Sequence, residues 1–155
     1  MNRLQVIEAP SKYVEAPHLV LVVDGTPLDQ LLDVAHPGYH LLGLVPALLD
    51  WLSDAEERRL VRERILPTIG STAIAPLLMC PDDLDLWCTV AVAEVVREAP
   101  VVWWQRIGLD APKAKPGDMP RAMGGRVDWI DGLGPFCFET AEYERCLAAF
   151  GIFED

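Results

Sequence analysis

The chain has 155 residues, 51% of them hydrophobic, and its 24 acidic against 13 basic residues give a net charge of −11 at pH 7. A chain of this length and apolar content can bury one core, which predicts a single domain over residues 1–155 and excludes global disorder. The negative field repels nucleic-acid phosphates and anionic membranes and accelerates encounter with a basic protein. We therefore expect a basic protein partner, no nucleic acid and no membrane.

The first residues, beginning Met1-Asn2-Arg3-Leu4, lack the apolar stretch and small-residue cleavage site of a secretion signal. No apolar run reaches the ~18 residues that a membrane span needs without a charge or a proline. We expect a cytoplasmic protein without a cofactor. Its four cysteines are then expected to be reduced thiols, which are Cys80, Cys88, Cys137 and Cys146.

The first quarter of the chain predicts two strands and a helix. Leu4–Glu8 and His18–Asp24 are short β-branched runs, separated by a loop over residues 9–17 that contains two prolines. After a turn at Asp24-Gly25-Thr26, Pro27–Val34 places its leucines at i, i+3 and i+4 on one face. This spacing predicts a short helix.

Two more helices are predicted before the central strands. Leu44–Leu52 carries leucines at helical spacing. Ser53 and Glu56 have the spacing of a capping box, which predicts that a helix follows over Asp54–Leu66. Pro67 then ends that helix, because the residue before a proline disfavours helical geometry.

Three apolar runs predict the main strands of an antiparallel sheet: Ala73–Met79, Trp87–Val96 and Val101–Gly108. Residues 109–125 are rich in proline and glycine and predict an exposed loop, which carries the local cluster of basic residues Lys113, Lys115, Arg121 with Arg126 after it.

The last part of the chain predicts a hairpin from Arg126–Ile130 and Pro135–Phe138, then a helix capped by Thr140 and ended by Gly151. Together the elements predict an α+β fold, with a mostly antiparallel sheet of about six or seven strands and helices packed mainly on one face.

The candidate site is an acidic loop over residues 80–88, Cys-Pro-Asp-Asp-Leu-Asp-Leu-Trp-Cys. Asp82, Asp83 and Asp85 could form a structural turn, an acidic contact surface or a site for a divalent cation. The EF-hand pattern fails, because Trp87 occupies the next alternate position and neither the turn glycine nor the distal glutamate is present. The aspartates and Trp87 are therefore our candidate partner contacts.

Other reactive groups show no established signature. Seven residues separate Cys80 from Cys88, longer than a zinc knuckle, so a zinc site would need all four cysteines to converge. Pro37 and Gly38 prevent His36 and His40 from sharing a helix face. Ser11, Ser53 and Ser71 lack a nucleophile elbow. The sequence thus predicts no catalytic residues and no metal ligands.

Trp103 and Trp104 are adjacent on a predicted strand and point to opposite faces of the sheet. One of them is expected in the core, and the other either lies under the last helix or is exposed. An exposed tryptophan beside an acidic rim would suit an interface anchor. Trp104 is therefore included with Trp87 among the candidate partner-binding residues.

The order of landmarks resembles a group of small uncharacterised bacterial proteins. The similarity lies in the segments VDGTPL (residues 23–28), CPDD to the second cysteine of the acidic loop, VVWW (101–104) and GPFCF (134–138) with the following Tyr143-Glu144. The resemblance covers most of the chain and implies no established activity. The group often has glycine and cysteine where this chain has the aspartates.

Three functional hypotheses follow. The first is a non-enzymatic binding protein of the immunity type, which neutralises a basic partner such as a toxin nuclease, with the aspartates mimicking phosphates. The second is an enzyme that uses Asp82, Asp83 and Asp85 with a divalent metal. The third is a structural protein of unknown function.

Overall fold

A computed structural model describes residues 1–111 and 123–154. The predicted basic residues Lys113, Lys115 and Arg121 lie outside the described residues. The described elements are the strands β1 (Leu4–Ser11), β2 (Val14–Val23), β3 (Thr26–Pro27), β4 (Val45–Pro46), β5 (Thr72–Met79), β6 (Val90–Glu98), β7 (Val101–Asp110), β8 (Val127–Trp129) and β9 (Phe136–Glu139), and the helices α1 (Leu28–Ala35), α2 (Ala55–Ile65) and α3 (Thr140–Ala149).

The strands form two antiparallel sheets, so the α+β class is confirmed and the strands divide over two sheets. The smaller sheet has the order β1-β2-β3. The larger sheet has the order β4-β5-β6-β7-β8, and β9 pairs with β7 beside β8. β8 and β9 therefore do not pair with each other as the predicted hairpin would.

Strand β6 is the centre of the larger sheet. Four consecutive side chains, Val90 to Ala93, have no exposed surface. Successive side chains of a strand point to opposite faces, so both faces of the sheet are covered at this strand. The core of the molecule is built around this point, with α2 packed on the neighbouring β5.

Helix α2 begins one residue later than its capping box predicted. Asp54, and not Ser53, is the N-cap residue, and its Oδ1 accepts a hydrogen bond from the Glu57 N–H at 2.9 Å. Acidic residues occupy the first turn and arginines the last, as the helix dipole favours. Thr140 does not cap α3 as predicted, because it is the first residue of the helix. The N-cap residue is Glu139, and its side chain makes no capping hydrogen bond.

Two sequence predictions are wrong in the first half of the chain. Residues 44–52 are not a helix: only the short strand β4 is regular, and the leucines at 48, 49 and 52 are buried within an irregular segment. Residues 9–17 are not an open loop, because β1 and β2 extend into them and meet at a turn over Lys12 and Tyr13.

The two sheets are joined through the N-terminal residues. Asn2 exchanges two hydrogen bonds with the backbone of Cys137 in β9, at 2.8 and 2.9 Å. The Leu4 N–H donates to Glu142 of α3 at 2.7 Å. Among the described residues, no helix is both long and apolar enough to cross a membrane.

Tyr143 of α3 is fully buried and links three elements. Its hydroxyl donates to the backbone oxygen of Ile65 at 2.7 Å and accepts from Trp104 Nε1 at 3.2 Å. Burial raises the pKa of Tyr143, so the hydroxyl stays protonated and able to donate. One phenol oxygen thus satisfies a buried carbonyl of α2 and a buried indole of β7.

We expect Tyr143→Phe to lower the free energy of unfolding by about 1–3 kcal/mol, because it leaves the Trp104 N–H and the Ile65 carbonyl without a partner in the core. Urea unfolding followed by tryptophan fluorescence measures this loss. Tyr39→Phe, which removes a hydroxyl from a residue that is 56% exposed, is the matched control and should change stability by less than about 0.5 kcal/mol. Equal effects of the two variants would contradict the role of Tyr143.

Candidate functional site

The acidic loop connects β5 to β6, and its two ends are held together. Met79 pairs with Val90 in the register of the two strands. Inside this pair, one residue after Met79 and two residues before Val90, a disulfide joins Cys80 to Cys88, with 6.0 Å between their Cα atoms. The base of the loop is therefore closed both by the sheet and by a covalent bond.

The expectation of four reduced thiols is wrong for Cys80 and Cys88. It fails because the strand register brings the two residues side by side. A zinc site of four cysteines is excluded for the same reason, since two of its ligands are bonded to each other. The free cysteines are Cys137, half-buried, and Cys146, buried; burial raises the pKa of the Cys146 thiol to about 11, which makes it unreactive.

A buried contact anchors the loop to α2. Leu86 has no exposed surface and belongs to the core. Its N–H donates to Oε2 of Glu57 at 2.6 Å, and Glu57 is itself only 7% exposed. A buried carboxylate that accepts a backbone hydrogen bond favours one conformation of the loop, because the carboxylate needs that donor inside the core.

The three aspartates have different environments. Asp82 and Asp83 are exposed, and with the described residues neither side chain makes a hydrogen bond or an ion pair. Asp85 is half-buried, and its Oδ1 accepts a hydrogen bond from the N–H of Trp87 at 2.9 Å, which is an Asx turn. Trp87 is half-buried as well. The loop therefore presents two carboxylates outward and uses the third to fold itself.

Trp104 does not belong to this surface. It is 1% exposed and packs edge-on against Phe138 and Tyr143, with ring centroids 4.8 and 6.2 Å away. The prediction that one of the two adjacent tryptophans lies in the core is confirmed by Trp104, while Trp103 is half-buried. The prediction that Trp104 contacts a partner is therefore wrong, because its side chain is almost completely buried.

Sequence reasoning missed Glu57, which determines how the loop is held. Nothing in the local sequence distinguishes Glu57 from its neighbour Glu56. Within residues 1–111 and 123–154, no three His, Cys, Asp or Glu side chains are grouped so that they could hold a metal ion. The metal-dependent alternative for the aspartates gains no support there.

The disulfide predicts a thiol count. Alkylation of the unfolded, unreduced protein should modify Cys137 and Cys146, and reduction beforehand should expose all four cysteines. Mass spectrometry of the alkylated chain gives the number directly. Four modified cysteines without reduction would contradict the pairing.

Opening the disulfide should also lower stability. The chain-entropy estimate for a ring of this size is about 2–3 kcal/mol, which corresponds to a fall in Tm of roughly 5–10 °C for a domain of this length. The double variant Cys80→Ser, Cys88→Ser should show this fall, and reductant should then have no further effect on it. A wild-type Tm that reductant leaves unchanged would show that the ring contributes nothing.

Comparison of the chain with protein families, with curated proteins and with solved structures finds no match.

Proposed function

We propose that this chain is a non-enzymatic binding protein whose acidic loop contacts a cationic surface of a partner protein. The partner class that fits best is a basic toxin such as a nuclease, which the chain would neutralise as an immunity protein does. The observation that carries the proposal is the pair of exposed carboxylates, Asp82 and Asp83, on a loop that is closed at its base and anchored in the core.

Preorganisation is the first physical support. Binding normally costs free energy because loops and side chains lose freedom at the interface. Here the disulfide, the buried Leu86 and the Asp85–Trp87 turn fix the backbone beneath the two aspartates before any partner arrives. The carboxylates can then meet a cationic surface with little further ordering of the backbone.

Charge is the second support. A net charge of −11 raises the rate at which a basic protein approaches. A nuclease active site holds positive charge to bind phosphates. Two neighbouring carboxylates offer it oxygen acceptors that are negatively charged, as phosphates are. The half-buried Trp87 belongs to the same loop and would supply apolar contact area.

The compartment is part of the proposal. The sequence favours the cytoplasm, whereas the Cys80–Cys88 disulfide is typical of oxidising compartments. Thiol alkylation of the protein in freshly lysed cells separates the two. Four free thiols would place the acting form in a reducing compartment, and two would place it in an oxidising one.

The binding proposal predicts a partner whose capture depends on the two exposed aspartates. Purified protein is cross-linked in extracts of the cells that encode it, and partners are identified by mass spectrometry at low and high salt. We expect a basic protein whose affinity falls roughly 2- to 30-fold with Asp82→Asn, Asp83→Asn, because each exposed ion pair contributes about 0.2–1 kcal/mol. High salt should weaken the same complex.

A control variant separates the loop from net charge. Glu8→Gln, Glu98→Gln removes two exposed carboxylates from β1 and from the far end of β6, so its net charge matches that of the loop variant. It should bind the partner nearly as well as wild type. Equal weakening by both variants, or a partner that is not basic, would contradict the proposal.

A further inference from the structure

Ser11 and His18 are joined across the β1–β2 hairpin by a side-chain hydrogen bond, with 2.9 Å between Oγ and Nε2. The other ring nitrogen, Nδ1, lies 3.1 Å from the backbone oxygen of Leu19. A carbonyl oxygen can only accept, so Nδ1 carries the ring hydrogen and Nε2 accepts the hydrogen bond from the Ser11 hydroxyl. The pair has the arrangement of a hydroxyl nucleophile beside its base, with a third group orienting that base.

An irregularity in the strand pairing creates this contact. Ala9 pairs with His18 and Ser11 with Val14, so two steps along β1 match four steps along β2. In regular pairing Ser11 would lie opposite Ala16 instead. Bulges of this kind re-aim side chains and are common beside functional sites. The spacing of Ser11 and His18 in the sequence does not predict their contact, because the contact depends on how β1 pairs with β2.

The imidazole is also held from another side. Trp51 packs edge-on against His18, with ring centroids 5.3 Å apart and planes at 87°. The ring therefore has a hydrogen bond at each nitrogen and an aromatic contact. This fixes its orientation toward Ser11, as a general base requires.

Ser11 and His18 line a cavity of about 390 Å³ between the hairpin and the segment after α1. This volume lies within the range of small-ligand sites. Ile7, Val20, Leu42 and Leu44 contribute its apolar lining. The cavity thus combines an apolar wall with the serine–histidine pair, which suits a small substrate with an alkyl group.

Gly43 lies between the lining residues Leu42 and Leu44 and holds this segment in place. The Gly43 N–H donates to Oδ2 of Asp29, which is 9% exposed, at 2.9 Å. A Cβ at Gly43 would lie 2.7 Å from a ring carbon of Tyr13, and the backbone there has a φ of 98°, so both the turn contact and the conformation require glycine. The turn of the β1–β2 hairpin and helix α1, which carries Asp29, therefore both contact the chain at Gly43.

We propose that Ser11 and His18 form a nucleophile–base pair that hydrolyses small, neutral carboxylic esters bound in this cavity. The proposal goes beyond protein binding and uses no residue of the acidic loop. Neutral substrates are favoured, because the net charge of −11 repels anions. Lys12 also lines the cavity, and its Nζ lies 5.1 Å from the centroid of the Tyr13 ring at the hairpin turn.

The reaction proceeds in two balanced halves. His18 Nε2 takes the hydroxyl proton as Ser11 Oγ bonds to the ester carbonyl carbon, and the carbon–oxygen bond to the alcohol then breaks as Nε2 returns the proton to the leaving alkoxide. Nε2 next takes a proton from water while the water oxygen bonds to the acyl carbon. The bond to Ser11 Oγ breaks, Oγ regains the proton, and the products are one carboxylic acid and one alcohol.

The first test is labelling of the wild-type protein, which depends on no variant. A fluorophosphonate probe should modify Ser11, identified by peptide mass spectrometry. The second test is hydrolysis of p-nitrophenyl acetate and butyrate. We expect turnover in wild type and its loss in Ser11→Ala. His18→Gln should lower kcat/KM about 10²- to 10⁴-fold, the usual contribution of a general base.

Ser71→Ala is the matched control, because Ser71 lies in the turn before β5, bonded to Thr68 and outside the cavity lining; it should keep wild-type labelling and turnover. Tm measurements show that each variant is folded. Ester turnover at the buffer rate, absence of the probe from Ser11, or activity that persists in Ser11→Ala would each overturn the proposal. None of these outcomes bears on the acidic loop.

Discussion

The burial of β6 on both faces is the constraint on which the rest of the molecule depends. With Val90 to Ala93 fully enclosed, neither face of β6 is open to water along this stretch, and β5 and β7 pair with it over long registers. A charged side chain within this stretch would lose its hydration without a partner. The carboxylates of the β5–β6 connection lie outside it, where Asp82 and Asp83 are exposed.

The acidic loop is held in one conformation because it begins and ends in paired strands, β5 and β6. Its ends are set by the last strand pair, its base by the disulfide, and its middle by Leu86 and Glu57. Loops are usually the mobile parts of a domain and lose entropy when they bind. A loop whose apolar residue is part of the core has already lost that entropy on folding.

Local sequence patterns predicted β5 and α2, whose ends are determined by residues close to them in the sequence. β5 is predicted to within one residue, because an apolar run marks it, and α2 to within one residue at each end, because a capping box and Pro67 mark it. Residues 44–52 misled the prediction, since leucines at helical spacing also suit a buried irregular segment. The disulfide, the burial of Trp104 and the Ser11–His18 contact depend on registers between distant residues, and a single sequence does not encode these in any local pattern.

The two candidate sites are separable because they belong to different sheets. The serine–histidine pair lies on the β1–β2 hairpin, and the acidic loop joins strands of the larger sheet. The sheets are coupled through Asn2 and Leu4, which bind β9 and α3 and not the acidic loop. The field of the whole chain still acts on both, attracting cations to the exposed aspartates and keeping anions from the cavity. One charge distribution would thus favour both the cationic partner proposed for the acidic loop and the neutral ester proposed for the cavity.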